Sequence, residues 1–293
     1  MLEGKVCIVA GGGHGIGKET AKQLADRGAK VVVNDLGTDL GGEGESAEPA
    51  EEVVEDIRNA GGEAMAHFGD ISSVEYTSQL VEDTVDEFGR IDGAVNYAGI
   101  LRDRLLANMG PDEWDPVIRV HLRGHYALFH NLADYWVETA ESSDEQRSFL
   151  SVSSESAFGN PGQANYAAAK AGILGLTRTG ARELHESNVR VNAIMPRAFT
   201  RMAESIPEEY QPDESEMPDP GDIPPMVTYL MSDDATNITG CTVLMTGDQF
   251  GLVSDPEITT VAYSSSNWAA EDISTSFREA FERESLIRTE SRI

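Results

Sequence analysis

The chain has 293 residues, which is enough for one large α/β domain or two small ones. Aspartate and glutamate number 51 against 22 lysines and arginines, so the net charge is -29, and we expect neither nucleic acid nor an anionic membrane as a partner. No stretch approaches the roughly 18 consecutive apolar residues of a membrane-spanning helix, and the first apolar run is too short for a signal peptide.

A strand, a glycine-rich turn, a helix and a second strand open the chain. Residues 5–10 and 31–35 are short apolar runs typical of buried strands, and residues 11–17 are mostly glycine. Glycines let a backbone approach a pyrophosphate, and a helix N-terminus offers free N–H groups, so this turn predicts a dinucleotide site. Asp35 ends the second strand, where a carboxylate can bind ribose hydroxyls and repel a 2′-phosphate, which favours NAD over NADP.

Strands and helices alternate along the rest of the chain. Further strands are predicted at residues 63–68, 91–95, 148–152, 190–194 and 242–245, and helices at 48–60, 73–88, 112–141, 163–186 and 223–232. Because the connections are short, the strands form a parallel sheet covered on both faces. The predicted fold class is α/β: residues 1–255 form a single doubly wound Rossmann domain with a seven-stranded parallel sheet and helices on both faces.

Two segments differ in character from this pattern. Residues 203–225 are rich in proline and acidic residues, and they form either a solvated linker or a flexible loop that covers a substrate pocket. Residues 256–293 are predicted to be a C-terminal extension with an amphipathic helix at 274–286.

The two cysteines, Cys7 and Cys241, lie far apart in the sequence, so no disulfide framework is expected. Reduced cysteines are typical of the cytosol, so the protein is predicted to be cytoplasmic.

His121 and His125 lie four residues apart on the predicted helix of residues 112–141. Such a pair can bind a metal ion, but a matching carboxylate or a third histidine does not accompany it. We therefore predict no metal site.

Tyr166 and Lys170 lie one turn apart on one face of the predicted helix of residues 163–186. An ammonium beside a phenol favours the phenolate and is expected to lower its pKa. A phenol tuned in this way can pass a proton to or from a substrate oxygen. Ser153 lies thirteen residues before Tyr166, at the end of an apolar run, and is a candidate for the same site.

Taken in order, these motifs resemble the short-chain dehydrogenases/reductases over roughly residues 3–255. The resemblance implies that Tyr166 is the acid/base, that Lys170 holds the nicotinamide ribose, and that Ser153 binds the reacting oxygen. It implies cofactor contacts from Gly11, Gly15, Ile16, Gly17, Asp35, Asp70, Ile71, Asn96, Ala98, Gly99, Tyr166, Lys170, Pro196 and Thr200.

Three positions depart from the family pattern. Ala10 stands where threonine is usual, Tyr97 replaces the second asparagine of a pair, and His121 replaces the asparagine that is the fourth catalytic residue. We interpret His121 as a feature of one branch of this family, compatible with activity. Residues 34–37, 98–104, 120–124 and 162–166 resemble the dehydrogenase domain of peroxisomal multifunctional enzyme type 2, which implies NAD-dependent oxidation of a 3-hydroxyacyl-CoA.

Other functions stay open at this point. The substrate could be a steroid, a sugar or an acyl-carrier thioester, or the chain could be a cofactor-binding sensor without catalysis. Members of the family usually form homo-tetramers or homo-dimers, so a homo-oligomer is expected. An anionic CoA ester would need basic residues, and the candidates, which could equally form ordinary ion pairs, are Arg102, Arg104, Arg119, Arg123, Arg197 and Arg201.

The surface charge also suggests a habitat. The chain has only five lysines and a pI of about 4.4, which resembles the proteins of salt-loving archaea. In molar salt the Debye length is about 3 Å, so self-repulsion is screened. The alternative is an acidic protein adapted to ordinary salt, and we expect the halophile.

Overall fold

The computed structural model describes residues 1–140, 145–200 and 217–280, except residues 257, 259, 260, 265 and 266. The chain divides into two compact units, Met1–Val253 and Ser254–Ile293. Within the described residues, none of the helices has the length and apolar character needed to cross a membrane.

An eight-stranded sheet forms the centre of the first unit, in the order β3-β2-β1-β4-β5-β6-β7-β8. The first seven strands are parallel, and β8 runs antiparallel to β7. The strands are β1 Val6–Ala10, β2 Lys30–Asp35, β3 Ala64–Phe68, β4 Gly93–Asn96, β5 Arg147–Val152, β6 Val189–Pro196, β7 Thr242–Thr246 and β8 Gln249–Val253. The predicted doubly wound α/β fold is confirmed.

The predicted number of seven strands is wrong by one. Strand β8 follows β7 after the two residues Gly247 and Asp248, a pair typical of tight hairpins. Phe250 and Leu252 on β8 are each 74% exposed, so this strand lacks the buried apolar run that identifies the others. The pair Gly247 and Asp248 was the sequence feature from which this hairpin could have been predicted.

Helices cover both faces of the sheet. In the first unit they are α1 Gly15–Asp26, α2 Glu48–Asn59, α3 Val74–Phe88, α4 Pro111–Ile118, α5 Gly124–Glu138, α6 Ala164–Glu183 and α7 Pro224–Met231. A π-helical turn, Arg119–Arg123, joins α4 to α5, so the single helix predicted for residues 112–141 is interrupted. The second unit contains α8, Ala270–Ala280. Residues 281–286 of the predicted tail helix and residues 203–216 of the predicted loop lie outside the described residues.

The core has one cluster on each face of the sheet, because side chains alternate along each strand. On one face Val31 and Val33 of β2 share a cluster with Leu24 of α1, Val53 of α2 and Val227 of α7. On the other face, strand residues pack against α3, α5 and α6 in a second cluster. Its members include Ile8, Val32, Leu80, Leu128, Trp136, Phe149 and Ala181. This packing leaves the carboxyl ends of the parallel strands as the edge where a site can form.

Candidate active site

The carboxyl ends of six parallel strands bring most of the predicted site residues to one edge of the sheet. Ala10 of β1 pairs with Asn96 of β4, and Val152 of β5 pairs with Ile194 of β6. The residues that end or follow these strands are Gly11, Asp35, Asp70, Asn96, Ser153 and Pro196. The topology therefore assembles, from distant parts of the chain, a site at the position where doubly wound sheets bind their ligands.

The glycine turn after β1 is shaped by close backbone approaches. Gly11 has a φ of 68°, and a Cβ there would lie 2.5 Å from the Ala98 nitrogen. A Cβ on Gly17 would collide with the Gly11 carbonyl oxygen. Gly15 has a φ of 50°, and a Cβ there would meet only the Thr200 side chain, at 3.7 Å. The turn thus packs tightly against β4 and stays open on the side of Thr200.

The N-terminus of α1 has the properties of an anion site. Within the described part of the chain, no side chain caps this helix, and its first turn carries no acidic residue. The first N–H groups of a helix lack intrahelical partners, and the dipole favours negative charge there. The turn and helix of residues 11–17 therefore fit the pyrophosphate of a dinucleotide.

Asp35 holds the glycine turn against the end of β2. Its Oδ2 accepts a hydrogen bond from the Gly13 N–H at 2.8 Å, and its Oδ1 accepts one from the Gly37 N–H at 2.7 Å. The residue is 9% exposed. Each carboxylate oxygen keeps a further lone pair, so the position fits the ribose contact that the sequence predicts.

Asp70 is already engaged in the structure. Its carboxylate accepts hydrogen bonds from the Ser72 N–H at 2.9 Å and the Ser72 hydroxyl at 2.7 Å, and Arg119 lies 2.5 Å from its other oxygen. Burial raises the Asp70 pKa, but these hydrogen bonds and the Arg119 charge outweigh it and hold the pKa below its usual value. The neighbouring Ile71 is buried in the core. Their contact with an adenine ring stays a prediction.

The segment after β4 forms a floor beside the glycine turn. Asn96 accepts a hydrogen bond from the Ala98 N–H at 2.9 Å, while its buried Nδ2 has no partner within the described residues. The Tyr97 hydroxyl lies 2.9 Å from the Thr20 hydroxyl, so this departure from the family pattern ties the floor to α1. A Cβ on Gly99 would collide with the His121 ring.

Tyr166 and Lys170 lie together on α6, as predicted, and both are buried. The Lys170 Nζ is 5.4 Å from the centre of the Tyr166 ring and donates a hydrogen bond to the Val152 carbonyl at 2.7 Å. Burial lowers the Lys170 pKa to about 7. Burial also raises the Tyr166 pKa to about 12, opposed by a hydrogen bond with Ser154 and reinforced by the charge of Asp103.

The expected lowering of the Tyr166 pKa by Lys170 is therefore corrected. The cost of removing a phenolate from water dominates, since the phenol is buried. The Lys170 ammonium is directed at a backbone carbonyl rather than at the phenol oxygen.

The role of Ser153 at the reacting oxygen stays a prediction, and the neighbouring Ser154 is a second candidate, because its side chain opposes the rise of the Tyr166 pKa. The Ser153 hydroxyl donates to the Lys170 carbonyl at 3.0 Å, on the side of α6 where Ser151 meets Thr177. Side chains two residues apart point the same way along a strand, so Ser151 and Ser153 share this direction. Ser154 lies beyond β5 and caps a short 3₁₀ turn.

His121 and His125 both form hydrogen bonds with the backbone. The His121 Nε2 lies 2.8 Å from the Ile100 carbonyl and 3.1 Å from the Ile100 nitrogen, and its ring meets Tyr166 edge-on at 5.0 Å. Burial and then the Lys170 charge hold the His121 pKa well below its usual value and bring that of His125 to about 3. The described residues contain no group of three or more His, Cys, Asp and Glu side chains that could hold a metal ion.

Two polar residues of the site, Asn165 and Gln163, were missed by the sequence analysis. Asn165 donates to the Arg102 and Glu113 carbonyls at 3.0 and 2.8 Å and accepts from the Tyr166 N–H. Gln163 donates to the Asp103 carboxylate at 2.7 Å. They fasten the loop of residues 102–104 to the start of α6. Their proximity to Tyr166 in the chain was the one available signal.

Most of the candidate arginines form ion pairs with neighbouring carboxylates. The pairs are Arg102–Glu43, Arg104–Glu113, Arg119–Asp70 and Arg197–Glu155. Arg123 donates to the Ser72 carbonyl at 3.0 Å, and Arg201 lies outside the described residues. These four arginines therefore fit ordinary ion pairs better than they fit a preformed binding site for an anion.

Comparisons with known proteins agree with this geometry. Residues 5–211 match the family described as short chain dehydrogenase. The chain is 41% identical to peroxisomal multifunctional enzyme type 2 of Mus musculus over 229 residues, which cover 78% of this chain and 30% of the mouse protein. It is 36% identical to hydroxyacyl-CoA dehydrogenase ChsB1 of Mycobacterium tuberculosis over 288 residues, which cover 96% of this chain and 89% of that protein.

A solved structure supports the same conclusion. A short chain dehydrogenase from Mycobacterium avium superimposes with a TM-score of 0.85 and 33% identity, and the match covers 96% of each chain. The first unit of this chain combines a doubly wound sheet with the glycine turn and the Tyr166–Lys170 pair. The chain belongs to the short-chain dehydrogenase family and is an oxidoreductase that uses a nicotinamide cofactor.

Proposed function

We propose that the chain is an NAD-dependent dehydrogenase that interconverts a secondary alcohol and its ketone, with a 3-hydroxyacyl-CoA as the substrate. The observation that carries the chemistry is the grouping of Tyr166 and Lys170 on α6 with the serine pair Ser153 and Ser154 at the end of β5, at the carboxyl edge of the sheet beside the glycine turn. The grouping supplies a proton donor and acceptor, a cation and a second hydroxyl around one position for a substrate oxygen.

The roles follow from position. Tyr166 exchanges the proton of the alcohol oxygen, and one of the two serines that follow β5, Ser153 or Ser154, holds the same oxygen. Lys170 places a positive charge within 5.4 Å of the phenol ring centre. The nicotinamide ring, when bound, accepts the hydride from the alcohol carbon. Loss of the proton and the hydride removes two hydrogens and two electrons from the alcohol, which becomes a ketone.

The high Tyr166 pKa sets a direction for the pH dependence. With a pKa of about 12 the phenol is protonated at neutral pH, which is the form that donates a proton to a ketone oxygen. Alcohol oxidation needs the deprotonated form. We therefore expect the oxidation rate to rise with pH and the reduction rate to fall.

Asp35 supports NAD over NADP. Its carboxylate is fixed by Gly13 and Gly37 at the end of β2, where a 2′-phosphate would meet a negative charge. Asp35→Asn keeps an acceptor oxygen for the turn and removes the charge. The ratio of kcat/KM for NAD to that for NADP should fall by about tenfold or more in this variant, which corresponds to about 1.4 kcal/mol. An unchanged ratio would remove Asp35 from this role.

The names of the relatives support the substrate class, since one is a hydroxyacyl-CoA dehydrogenase. Exposed apolar side chains on the two loops beside Tyr166, Leu105 and Leu106 on one and Phe158 on the other, offer contacts for an acyl chain. The test is NADH formation with a panel of 3-hydroxyacyl-CoA esters, hydroxysteroids and simple secondary alcohols. We expect turnover to concentrate on the CoA esters.

Other outcomes of the panel have clear meanings. Turnover confined to steroids or simple alcohols would keep the Tyr166 chemistry and discard the CoA ester. Tight NADH binding with no turnover across the panel would indicate a cofactor sensor.

We also propose a homo-oligomer formed through α5 and α6. The molar mass from light scattering tests this assembly, and a mass equal to one chain would contradict it.

A further inference from the structure

Strand β5 extends one residue beyond its neighbour β4, so its last residue has no strand partner on that side. Along β5, Ser148 donates its N–H to Asp92 on the β4 side, whereas Arg147 and Ser153 donate theirs to Asn188 and Ile194 on the β6 side. Even-numbered residues of β5 therefore face β4. Val152 is even-numbered, but β4 ends at Asn96. The Val152 N–H and carbonyl thus point to a place where the strand ladder has stopped.

Two buried side chains take the place of the missing strand. The Val152 N–H donates to the His125 Nε2 at 3.2 Å, and the Val152 carbonyl accepts from the Lys170 Nζ at 2.7 Å. A buried backbone group without a partner destabilises the fold, so these two contacts close the end of β5. They also connect His125 to Lys170 through one residue.

The other ring nitrogen of His125 fixes its orientation. Because Nε2 accepts from Val152, Nδ1 carries the proton and donates to the His121 carbonyl at 2.7 Å. His125 is fully buried, and burial and then the Lys170 charge lower its pKa to about 3. The ring is therefore neutral at working pH, with one donor and one acceptor in fixed places.

We propose that His125 is a positioning residue for Lys170. It accepts the Val152 N–H and so fixes the residue whose carbonyl accepts the Lys170 ammonium, and it ties this residue to the π-helical turn that carries His121. The inference rests on the proposed function in one respect, since it assumes that the Lys170 charge serves catalysis. The contact itself is independent of the substrate and of the cofactor.

Three variants separate the two hydrogen bonds of His125. His125→Phe removes both. His125→Asn keeps a donor for the His121 carbonyl and shortens the side chain away from Val152, and His125→Gln offers an acceptor that can reach the Val152 N–H. Leu132→Ala is the matched control, because Leu132 is fully buried on the same helix and belongs to the core. It should lower thermal stability without touching Val152.

NMR titration of isotope-labelled lysine side chains reads the effect directly. The chain has only five lysines, and four lie in the first thirty residues, so the Lys170 signal can be assigned with Lys170→Met. In the wild type we expect its titration midpoint near the pKa of about 7. Burial lowers this midpoint, and the titratable groups near the Lys170 ammonium are Tyr166, His121 and His125.

The expected result has three parts. In His125→Phe and His125→Asn the Val152 N–H loses its partner and the residue is held less firmly. Its carbonyl then holds the ammonium less well, so the midpoint falls by about half a pH unit or more. In the same variants kcat falls about tenfold, as expected for a displaced catalytic group. His125→Gln restores both quantities to within about threefold of the wild type, and Leu132→Ala changes neither beyond this range.

A contrary result is equally defined. If His125→Phe and His125→Asn leave the Lys170 midpoint unchanged and lower kcat no more than Leu132→Ala does, His125 only fills the core and the proposal is wrong. Lys170→Met separates this failure from that of the proposed function. Turnover that survives in Lys170→Met would refute the catalytic role of Lys170, whatever the NMR result for His125.

Discussion

Two adjacent serines, Ser153 and Ser154, are candidates for the hydroxyl that holds the substrate oxygen beside Tyr166. The Ser153 hydroxyl donates to the Lys170 carbonyl at 3.0 Å, whereas the Ser154 side chain opposes the rise of the Tyr166 pKa, so we expect Ser154 to take this role. Ser154→Ala should lower kcat by about 10²–10³ while the NADH dissociation constant stays within about twofold, since one donor to the reacting oxygen is lost. Ser153→Ala should leave kcat within about threefold and cost about 1 kcal/mol of stability. Steady-state kinetics that reversed this order would restore Ser153 to the catalytic group.

The sequence could not settle this choice. Counting residues back from Tyr166 gives a position thirteen or twelve residues away, and both positions hold serine. The direction of each hydroxyl depends on where β5 ends and which side faces α6, and neither follows from the spacing. Tyr166, Lys170, Asp35 and the glycine turn were predictable because their spacing lies within single elements or single turns.

Lys170 carries a stability cost that varies with pH. Its pKa falls from 10.5 in the unfolded chain to about 7 in the folded one, so the cost is fully present below pH 7 and vanishes as the pH rises to 10.5. Lys170→Met should therefore be more stable than the wild type at about pH 6, by at most about 5 kcal/mol, and the gain should shrink toward about pH 10. Urea unfolding followed by circular dichroism measures both.

The control for this prediction is Lys30→Met, at a partly exposed lysine that pairs with Glu63. Exposed ion pairs contribute about 0–1 kcal/mol, so its unfolding free energy should change little at any pH. A gain for Lys170→Met that grew with pH would contradict the assigned burial of the ammonium.

At the scale of elements, the parallel strands were predictable and two local features were not. Each parallel strand is a short apolar run bounded by turns, which is the signal that sequence patterns carry best. Strand β8 was missed because its two large apolar residues, Phe250 and Leu252, are exposed. The π-helical turn was missed because the apolar pattern of residues 112–141 continues across it, and the backbone there widens to carry His121.

The packing of α6 against the sheet can be tested at two glycines on the same helix. A Cβ on Gly180 would collide with the Phe129 ring, which stacks on Phe149 at 4.3 Å between ring centres and so has little room to move. Gly180→Ala should destabilise the protein by about 1–3 kcal/mol. Gly175→Ala is the control: a Cβ there meets nothing within 4 Å, so it should be neutral or stabilise by up to about 1 kcal/mol. Thermal melts with equal losses at both positions would contradict the close approach of Phe129.

At the scale of the whole molecule, the net charge of -29 is the dominant property. Self-repulsion destabilises a compact chain, and salt screens it over a Debye length that falls from about 10 Å at 0.1 M to about 3 Å at 1 M. If the chain is adapted to high salt, its melting temperature at about pH 8 should rise steadily through molar KCl. The rise should be much smaller near the pI of about 4.4, where the net charge is small. A melting temperature that is flat with salt at high pH would refute the halophilic interpretation.

We propose that hydride exchange depends on a proton held by Tyr166, and a comparison of the wild type with Tyr166→Phe tests this dependence. NADH formation is measured for the wild type and for Tyr166→Phe with the best substrate of the panel, in molar KCl, together with the NADH dissociation constant from fluorescence. The loss of the phenolic hydroxyl should lower kcat by about 10²–10⁴ and leave the dissociation constant within about twofold. Turnover that stayed within about threefold of the wild type would contradict the account, because no proton exchange at this phenol would then be needed.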